Sequence, residues 1–432
     1  MTQKPSPRVC VIGAGVAGLT SARYLQDEGI NFTVLESTRY VGGTWRYDPR
    51  VGTDENGLPL HTSMYKSLRT NLPKPTMELK GFPLPEDAPT FMKWETVYKY
   101  IQGYVKHFDL EKHIKFLHNV ILVSRGENVW KVKYQNVITS EKFEEEFDFV
   151  FIGTGHFNKP NYPDIPGEEL FTGTIIHSHD FKERDPYKDR RVLIVGAGPS
   201  GLDIAIDVAY VAKALVHSHH SKLPLKTVFP KNYIKKSDIK EFNATGVVFE
   251  DGSYEGIDDV IYCTGFQYYY PFLDKSCDVE WNRECVKPLH KCMVNINQPT
   301  MLFLGSIVRA CLFIALDAQA RYATALVKGD FKLPPQEKML EDWSREVETI
   351  QSKGRPLSDL HVLGDNEGNY YAALTEESGI EPVPRYVMKM HNMLLRTAID
   401  DLYTFRNYTY TVIDDDDVVL TRKDEADRAR DI

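Results

Sequence analysis

The chain has 432 residues, 42% of them hydrophobic and 26% charged, with a formal net charge of −9. Length and apolar content allow a large core and two or three domains of ordinary size. The acidic balance argues against a nucleic-acid-binding or anionic-membrane surface while leaving room for a local basic pocket, and no run approaches the roughly 18 apolar residues that a membrane span requires.

The first predicted strand, Arg8 to Ile12, runs directly into Gly13-Ala14-Gly15-Val16-Ala17-Gly18, after which Leu19, Ala22 and Leu25 recur at helical spacing. A second strand, Phe32 to Leu35, ends at Glu36. This is the context that a dinucleotide fingerprint needs. The first glycine permits the tight turn, the second lets backbone approach a pyrophosphate, and the third lets helix pack on strand; the phosphate rests at the helix N-terminus and the acid suits a ribose hydroxyl. One such turn alone also fits an ordinary βαβ unit.

A Pro- and Gly-rich excursion from Tyr40 to Pro89 follows, too long for a plain loop and so expected to be functional. A helix is predicted from Trp94 to Phe108, then β-type runs around 114–123 and 129–134, and a strand, Phe149 to Ile152, that ends in Gly153-Thr154-Gly155. Residues 158–167 are turn-rich and read as a linker.

The pattern then repeats. Arg191 to Val195 is a strand, Gly196-Ala197-Gly198-Pro199-Ser200-Gly201 a second fingerprint opening a helix, and a strand around Asp258 to Cys263 again ends in a Thr-Gly turn, Thr264-Gly265. Two fingerprints imply two dinucleotides bound together, flavin plus nicotinamide. The strand after the second helix ends in Ser218-His219-His220-Ser221-Lys222 with no acid. Ser218, His220 and Lys222 therefore suit a 2′-phosphate and favour NADPH, though histidine is a weaker phosphate partner than arginine.

The remainder carries no third fingerprint. A strand at Met301 to Gly305, the apolar run Ala310 to Leu316 and a helix at Ala318 to Val327 suggest a return to the first domain, and Asp414 to Asp417 open a solvated, partly disordered tail. The expected fold is α/β, with two Rossmann-like dinucleotide-binding domains: the first from 1–170 and 296–432, the second, 171–295, inserted into it. None of the six cysteines has Cys-x-x-Cys spacing, which argues against a zinc site and against a redox dithiol of the disulfide-reductase kind; no metal is expected. No secretory leader is visible at the N-terminus, so a cytoplasmic location is expected, with secretion open should a leader have been removed.

Between the two units lies Phe171-x-Gly173-x-x-x-His177-x-x-x-Phe181. With this segment the chain resembles the flavin-containing monooxygenase family, whose hallmark is Phe-x-Gly-x3-His-x3-Tyr/Phe between an FAD and an NADPH fingerprint. Phe181 sets it apart from the similar Baeyer–Villiger monooxygenases, which carry Trp there. The resemblance extends to Gly42-Gly43-Thr44-Trp45, Tyr65-x-Ser67-x-x-Thr70-Asn71 and Gln319-Ala320-Arg321-Tyr322, similar to the family's flavin-contacting stretches.

The resemblance implies that FAD is held by Gly13, Gly15, Gly18, Glu36, Gly43, Thr44, Trp45, Asn71, Thr154, Gly155 and Gln319. It implies NADPH on Gly196, Gly198, Pro199, Ser200, Gly201, Ser218, His220, Thr264 and Gly265. NADPH then reduces FAD, O2 adds as a C4a-hydroperoxide, and a nucleophilic amine or sulfide takes the distal oxygen, with Asn71 as the catalytic side chain and His177 in a structural role. The compact chain looks more like the insect or fungal branch than the anchored vertebrate one, and within the insect branch the alkaloid N-oxygenases, which act on plant pyrrolizidine alkaloids, are the class expected. The expected partners are O2 and a small nucleophile, with a homo-oligomer left open. The alternatives are a two-dinucleotide reductase or NADPH oxidase and a non-catalytic redox sensor.

Overall fold

A computed structural model describes residues 6–221 and 226–422. In chain order its first elements are β1 (Arg8–Ile12), α1 (Val16–Asp27), β2 (Asn31–Leu35), α2 (Trp94–His107), β3 (Ile114–Lys115), β4 (His118–Arg125), β5 (Trp130–Asn136), β6 (Lys142–Phe147) and β7 (Phe149–Ile152). Then come β8 (Thr174–His177), β9 (Arg191–Val195), α3 (Pro199–Ala209), β10 (Ala214–Ser218), β11 (Tyr233–Lys236), β12 (Ile239–Asn243), β13 (Gly246–Phe249), β14 (Tyr254–Gly256) and β15 (Asp259–Tyr262). The last stretch holds β16 (Glu280–Trp281), β17 (Val286–Lys287), β18 (Leu289–His290), β19 (Val294–Asn295), β20 (Met301–Phe303), α4 (Leu312–Lys328), α5 (Gln336–Ser352), α6 (Glu367–Ser378), α7 (Tyr386–Asp400), β21 (Tyr408–Val412) and β22 (Val418–Arg422).

Two sheets carry the architecture. The first has the order β18-β19-β20-β7-β1-β2-β3 and the second β11-β10-β9-β15-β8, each with a parallel core. Strand β1 is apolar throughout because both of its faces are covered, as parallel strands require. Val9 and Val11 face the helices of the core that includes α1 and α4, whereas Cys10 and Ile12 face the antiparallel sheet β4-β5-β6 through Val123, Trp130 and Val132. The second unit repeats this layering: Val192 and Ile194 pack on α3, and Leu193 packs on β12-β13-β14 through Phe242, Val247 and Phe249.

Three readings of the sequence need correction. The chain re-enters the first unit before 296: Tyr268, Tyr270 and Leu273 are already in its core, and β18 and β19 already pair in its sheet. Two-residue strands carry no periodic signal, which is why the return was invisible. The Asp414–Asp417 run is solvated as expected but forms the turn of the β21-β22 hairpin, where Arg385 Nη2 bonds Asp416 at 2.7 Å and Lys389 pairs with Asp417; the rest of the expected tail, from 423 on, lies outside the described residues. The helix expected from Ala318 begins earlier, at Leu312, within the apolar run Ala310 to Leu316, which is core as its composition implies.

Candidate active site

A cavity of about 980 Å³ opens at the C-terminal ends of β1, β2, β7 and β20, where open parallel sheets bind ligands. Nine of the expected residues line it together: Gly13, Gly15, Glu36, Gly43, Thr44, Trp45, Asn71, Thr154 and Gly155. Gly18 lies beneath it. The turn is as tight as the motif implies, for Gly13 has φ +99° with Gly153 O only 2.8 Å from where a Cβ would stand, and a Cβ on Gly18 would come within 1.9 Å of Gly13 O. Helix α1 starts at Gly15 with no side-chain cap and no acid in its first turn, so its amides and dipole face the cavity uncompensated.

Glu36 is buried at the end of β2. Its Oε2 accepts the Ala14 N–H and its Oε1 the N–H and hydroxyl of Thr38, all at 2.8 Å. Burial raises its carboxyl above the ordinary range and these bonds offset part of that rise. The acid thus fixes the glycine turn while its edge lines the cavity.

The opposite wall is the excursion 40–89. Its Gly43–Trp45 turn brings Trp45 edge-on to Phe313 of α4 at 5.8 Å. Asn71 is exposed to the cavity, and its amide has no protein partner among the described residues. The residue before it is held firmly: the Thr70 N–H donates to Met92 O at 2.8 Å and its Oγ1 accepts the Met92 N–H at 3.0 Å. Thr154 Oγ1 is buried with no partner, an orphan that fits a cavity meant to hold a polar ligand.

Gln319 does not reach this space. It is fully buried in α4, where Oε1 accepts the Gly305 N–H at 2.8 Å and Nε2 donates to Tyr370 Oη at 2.7 Å. Its effect on the cavity is indirect, through Gly305 in the wall.

The second glycine turn has the same build at the end of β9. Gly196 has φ +103° with Cys263 O 2.6 Å from a Cβ position, Gly201 would meet Gly196 O at 2.0 Å, and Gly198 faces open space. Pro199 starts α3 and Ser200 follows it in the first turn. The residues assigned to the 2′-phosphate are arranged differently from each other. Ser218 is buried and donates to Ser237 O at 2.8 Å, whereas His220 is exposed and stands 3.1 Å from Asp238, an acid brought in from the turn after β11. Lys222 lies outside the described residues.

Thr264 and Gly265 are engaged by the linker. Thr264 Oγ1 donates to Asn161 O at 2.5 Å, Asn161 N–H donates to Gly265 O at 3.0 Å, and Gln267 N–H donates to Lys159 O at 2.8 Å. The two segments that join the units therefore run hydrogen-bonded side by side. Here Thr264 spends its hydroxyl proton on chain-to-chain stitching.

The 171–181 segment explains its own fixed positions. Gly173 leaves no room, since a Cβ would lie 2.3 Å from Asp258 O. His177 ends β8 fully buried, with Nδ1 accepting the His179 N–H at 3.1 Å, and burial pushes its pKa down to about 4. Phe181 is buried edge-on to Tyr65 at 5.4 Å. Tyr65 and Ser67 in turn point away from the cavity and bind α3 of the second unit, Tyr65 through Asp203 and Ser67 through Asp207 at 2.6 Å.

Sequence reasoning missed His61, Asn158 and Lys182. His61 lines the cavity with Asn158 Nδ2 at 3.4 Å, and burial lowers its pKa to about 4. Lys182 is buried with its ammonium donating to Thr62 O at 2.9 Å and His179 O at 3.3 Å. They belong to no motif, so only the fold assembles them.

The chemistry of the thiols is plain. All six cysteines are free and five are buried; burial pushes Cys263, Cys277 and Cys292 up to about 12. Cys311 lies near Glu367 and His391. That carboxylate is already engaged by the Cys311 N–H at 2.7 Å, His391 Nδ1 at 2.8 Å and the Tyr371 hydroxyl, a network that fixes the start of α4.

Comparison with known proteins agrees with this geometry. The flavin-binding monooxygenase-like family model matches residues 6–233 and 220–388. The chain is 42% identical to senecionine N-oxygenase of Tyria jacobaeae, over 94% of this chain and 90% of that one. It is 32% identical to flavin-containing monooxygenase FMO GS-OX3 of Arabidopsis thaliana, over 89% and 87%. Its structure is similar to that of S-allyl-L-cysteine S-oxygenase from Allium sativum, with a TM-score of 0.87 and 29% identity over 93% and 95% of the two chains. With two layered α/β units, a glycine-cradled cavity and this likeness over nearly its full length, the chain belongs to the flavin-binding monooxygenase-like family and is a flavin-dependent monooxygenase.

Proposed function

We propose that this enzyme binds FAD in the 980 Å³ cavity and NADPH on the second glycine turn, and N-oxygenates tertiary-amine alkaloids of the pyrrolizidine kind. The observation that carries the cofactor assignment is the continuity of that cavity from Glu36, past the Gly15 turn, to Asn71. The substrate class is supported by the 42% identity to senecionine N-oxygenase, and sulfur nucleophiles are the second class, supported by the Allium S-oxygenase likeness. The first unit, built from the N- and C-terminal parts of the described chain, is the FAD domain, and the inserted unit is the NADPH domain.

A flavin held here would supply the redox chemistry that links a nicotinamide to O2 and delivers one oxygen atom to substrate. The residues of the chain bind, orient and exclude water. Gly15 and the α1 amides would hold a pyrophosphate, Glu36 a ribose hydroxyl, and Thr154 Oγ1 a polar edge of the ligand. Asn71 offers an amide donor and acceptor with no titratable proton, so it holds an oxygen or a carboxamide without competing for protons. Gly198 leaves the backbone open to the second pyrophosphate, and Ser218 and His220 bracket the strand end beside it. All six cysteines being thiols supports a reducing, cytoplasmic setting, and no helix among the described residues is long and apolar enough to cross a membrane.

The test is oxygen accounting. Purified yellow protein with NADPH, a pyrrolizidine alkaloid and ¹⁸O2 should yield one labelled N-oxide per NADPH oxidised, read by mass spectrometry. Protein that carries no flavin, or that returns only hydrogen peroxide with every amine and sulfide tried, overturns the reading.

A further inference from the structure

We propose that Arg406, near the C-terminal end of the described chain, is a positioning residue that sets Asn71 against the second unit. Its Nε donates to Thr70 O at 3.1 Å, the carbonyl of the peptide that leads into Asn71. Its Nη2 reaches Asp203 Oδ1 on α3 at 2.9 Å, and the other oxygen of Asp203 accepts the Tyr65 hydroxyl. Neither partner is a surface ion: the Arg406 and Asp203 side chains are 17% and 22% exposed. One guanidinium thus joins three places far apart in sequence, the 65–71 loop, α3 of the inserted unit and the C-terminal segment.

The planar fork is what makes this possible. Its nitrogens lie at fixed angles, so the carbonyl and the carboxylate cannot both be satisfied unless loop and helix hold one relative position. The C-terminal segment is itself anchored twice. Thr227 Oγ1 accepts the Leu402 N–H at 3.0 Å, and Phe405 is buried edge-on to Phe91 at 5.5 Å. Arg406 therefore has a fixed base from which to hold Thr70, and displacement of α3 acts on Asn71 through it.

The inference rests on Asn71 serving oxygen transfer. Correct placement gives NADPH + H⁺ + O2 + substrate → NADP⁺ + H2O + substrate oxide; misplacement leaves the same electrons to form hydrogen peroxide. The experiment compares Arg406→Met, Arg406→Lys, Asp203→Asn, Tyr65→Phe and Asn71→Ala holoenzymes for flavin content, thermal midpoint and oxide formed per NADPH consumed.

Arg406→Met is expected to keep its flavin and to lower the oxide-to-NADPH ratio about tenfold, the loss of one charge-assisted bond. Arg406→Lys should recover part of that ratio. Asp203→Asn should lower it, with Arg406→Met/Asp203→Asn no worse than Arg406→Met alone. An unchanged ratio in Arg406→Met, or fully additive losses in the double variant, overturns the proposal. Should Arg406→Met fail to fold, Asp203→Asn and Tyr65→Phe decide by the same ratio. If Asn71→Ala is fully coupled, the role of Asn71 itself falls; if Asn71→Ala uncouples and the Arg406 variants do not, only the positioning role falls.

Discussion

Gly15 and Gly43 pack against each other in the wall of the cavity: a Cβ on Gly43 would stand 3.1 Å from Gly15 Cα, and one on Gly15 would stand 3.7 Å from Gly43 Cα. The asymmetry matters. Gly43 has φ +54°, so alanine there is both crowded and strained, whereas Gly15 has an ordinary extended conformation with φ −75° and tolerates a side chain in the empty protein.

Gly15→Ala and Gly198→Ala should therefore fold with unchanged thermal midpoints yet bind cofactor poorly, Gly15→Ala losing flavin and Gly198→Ala raising the KM for NADPH, each by about tenfold or more. Gly18→Ala and Gly201→Ala should instead destabilise the fold by about 3 kcal/mol or more, because backbone oxygens at 1.9 and 2.0 Å cannot yield without parting helix from strand. Flavin absorbance beside denaturant midpoints separates the two pairs. A Gly15→Ala protein that is full of flavin and fully active would remove the pyrophosphate from this turn.

Asn71→Ala should keep FAD bound and lose oxygen transfer by about a hundredfold or more, the value of one well-placed donor in a dry site. The check is substrate oxide formed at saturating NADPH. Turnover equal to the parent enzyme would sink the assignment.

Preference for NADPH should be modest and improvable. Asp238 stands 3.1 Å from His220 at the end of β10, where a 2′-phosphate would feel its charge as repulsion. Asp238→Ala should raise the NADPH-to-NADH ratio of kcat/KM by about tenfold. Equal use of NADH and NADPH by the parent enzyme would refute the phosphate site at Ser218 and His220.

Acid stability follows from three buried imidazoles. Burial lowers His177 and His217 to about 4 and His361 to about 3. Unfolded, each has its ordinary value near 6.5, so as pH falls the unfolded chain takes up protons first. Their contribution is intact above about 6.5 and is lost as pH falls from there to about 4 for His177 and His217 and to about 3 for His361, at up to about 1.4 kcal/mol per pH unit per histidine. Denaturant midpoints at pH 7, 5.5 and 4.5 should fall steadily; a flat profile over that range would contradict it.

Much of the site was legible because a motif states its own geometry. The two glycine turns, Glu36 and the 171–181 segment carry fixed spacings that physics forces, and each is where the spacing implies. Residues that act by long-range contact left no such trace. Arg406 meets Thr70 across most of the chain, Asp238 reaches His220 from another strand, and Lys182 is buried by elements that share no periodicity with it. Gln319 lay in a recognisable stretch yet faces Gly305 rather than the cavity, since helical phase, not motif membership, decides where a side chain points.

The paired linkers have a mechanical consequence. Because the crossings at Lys159 to Asn161 and at Thr264 to Gln267 are bonded to each other, any shear that slides one unit past the other must break Asn161–Gly265 and Gln267–Lys159 together. Rotation about the line of the two crossings breaks neither. The linkers thus hold the inserted unit along one line, and the contacts of Tyr65 and Arg406 with Asp203 and of Ser67 with Asp207 hold it against rotation about that line.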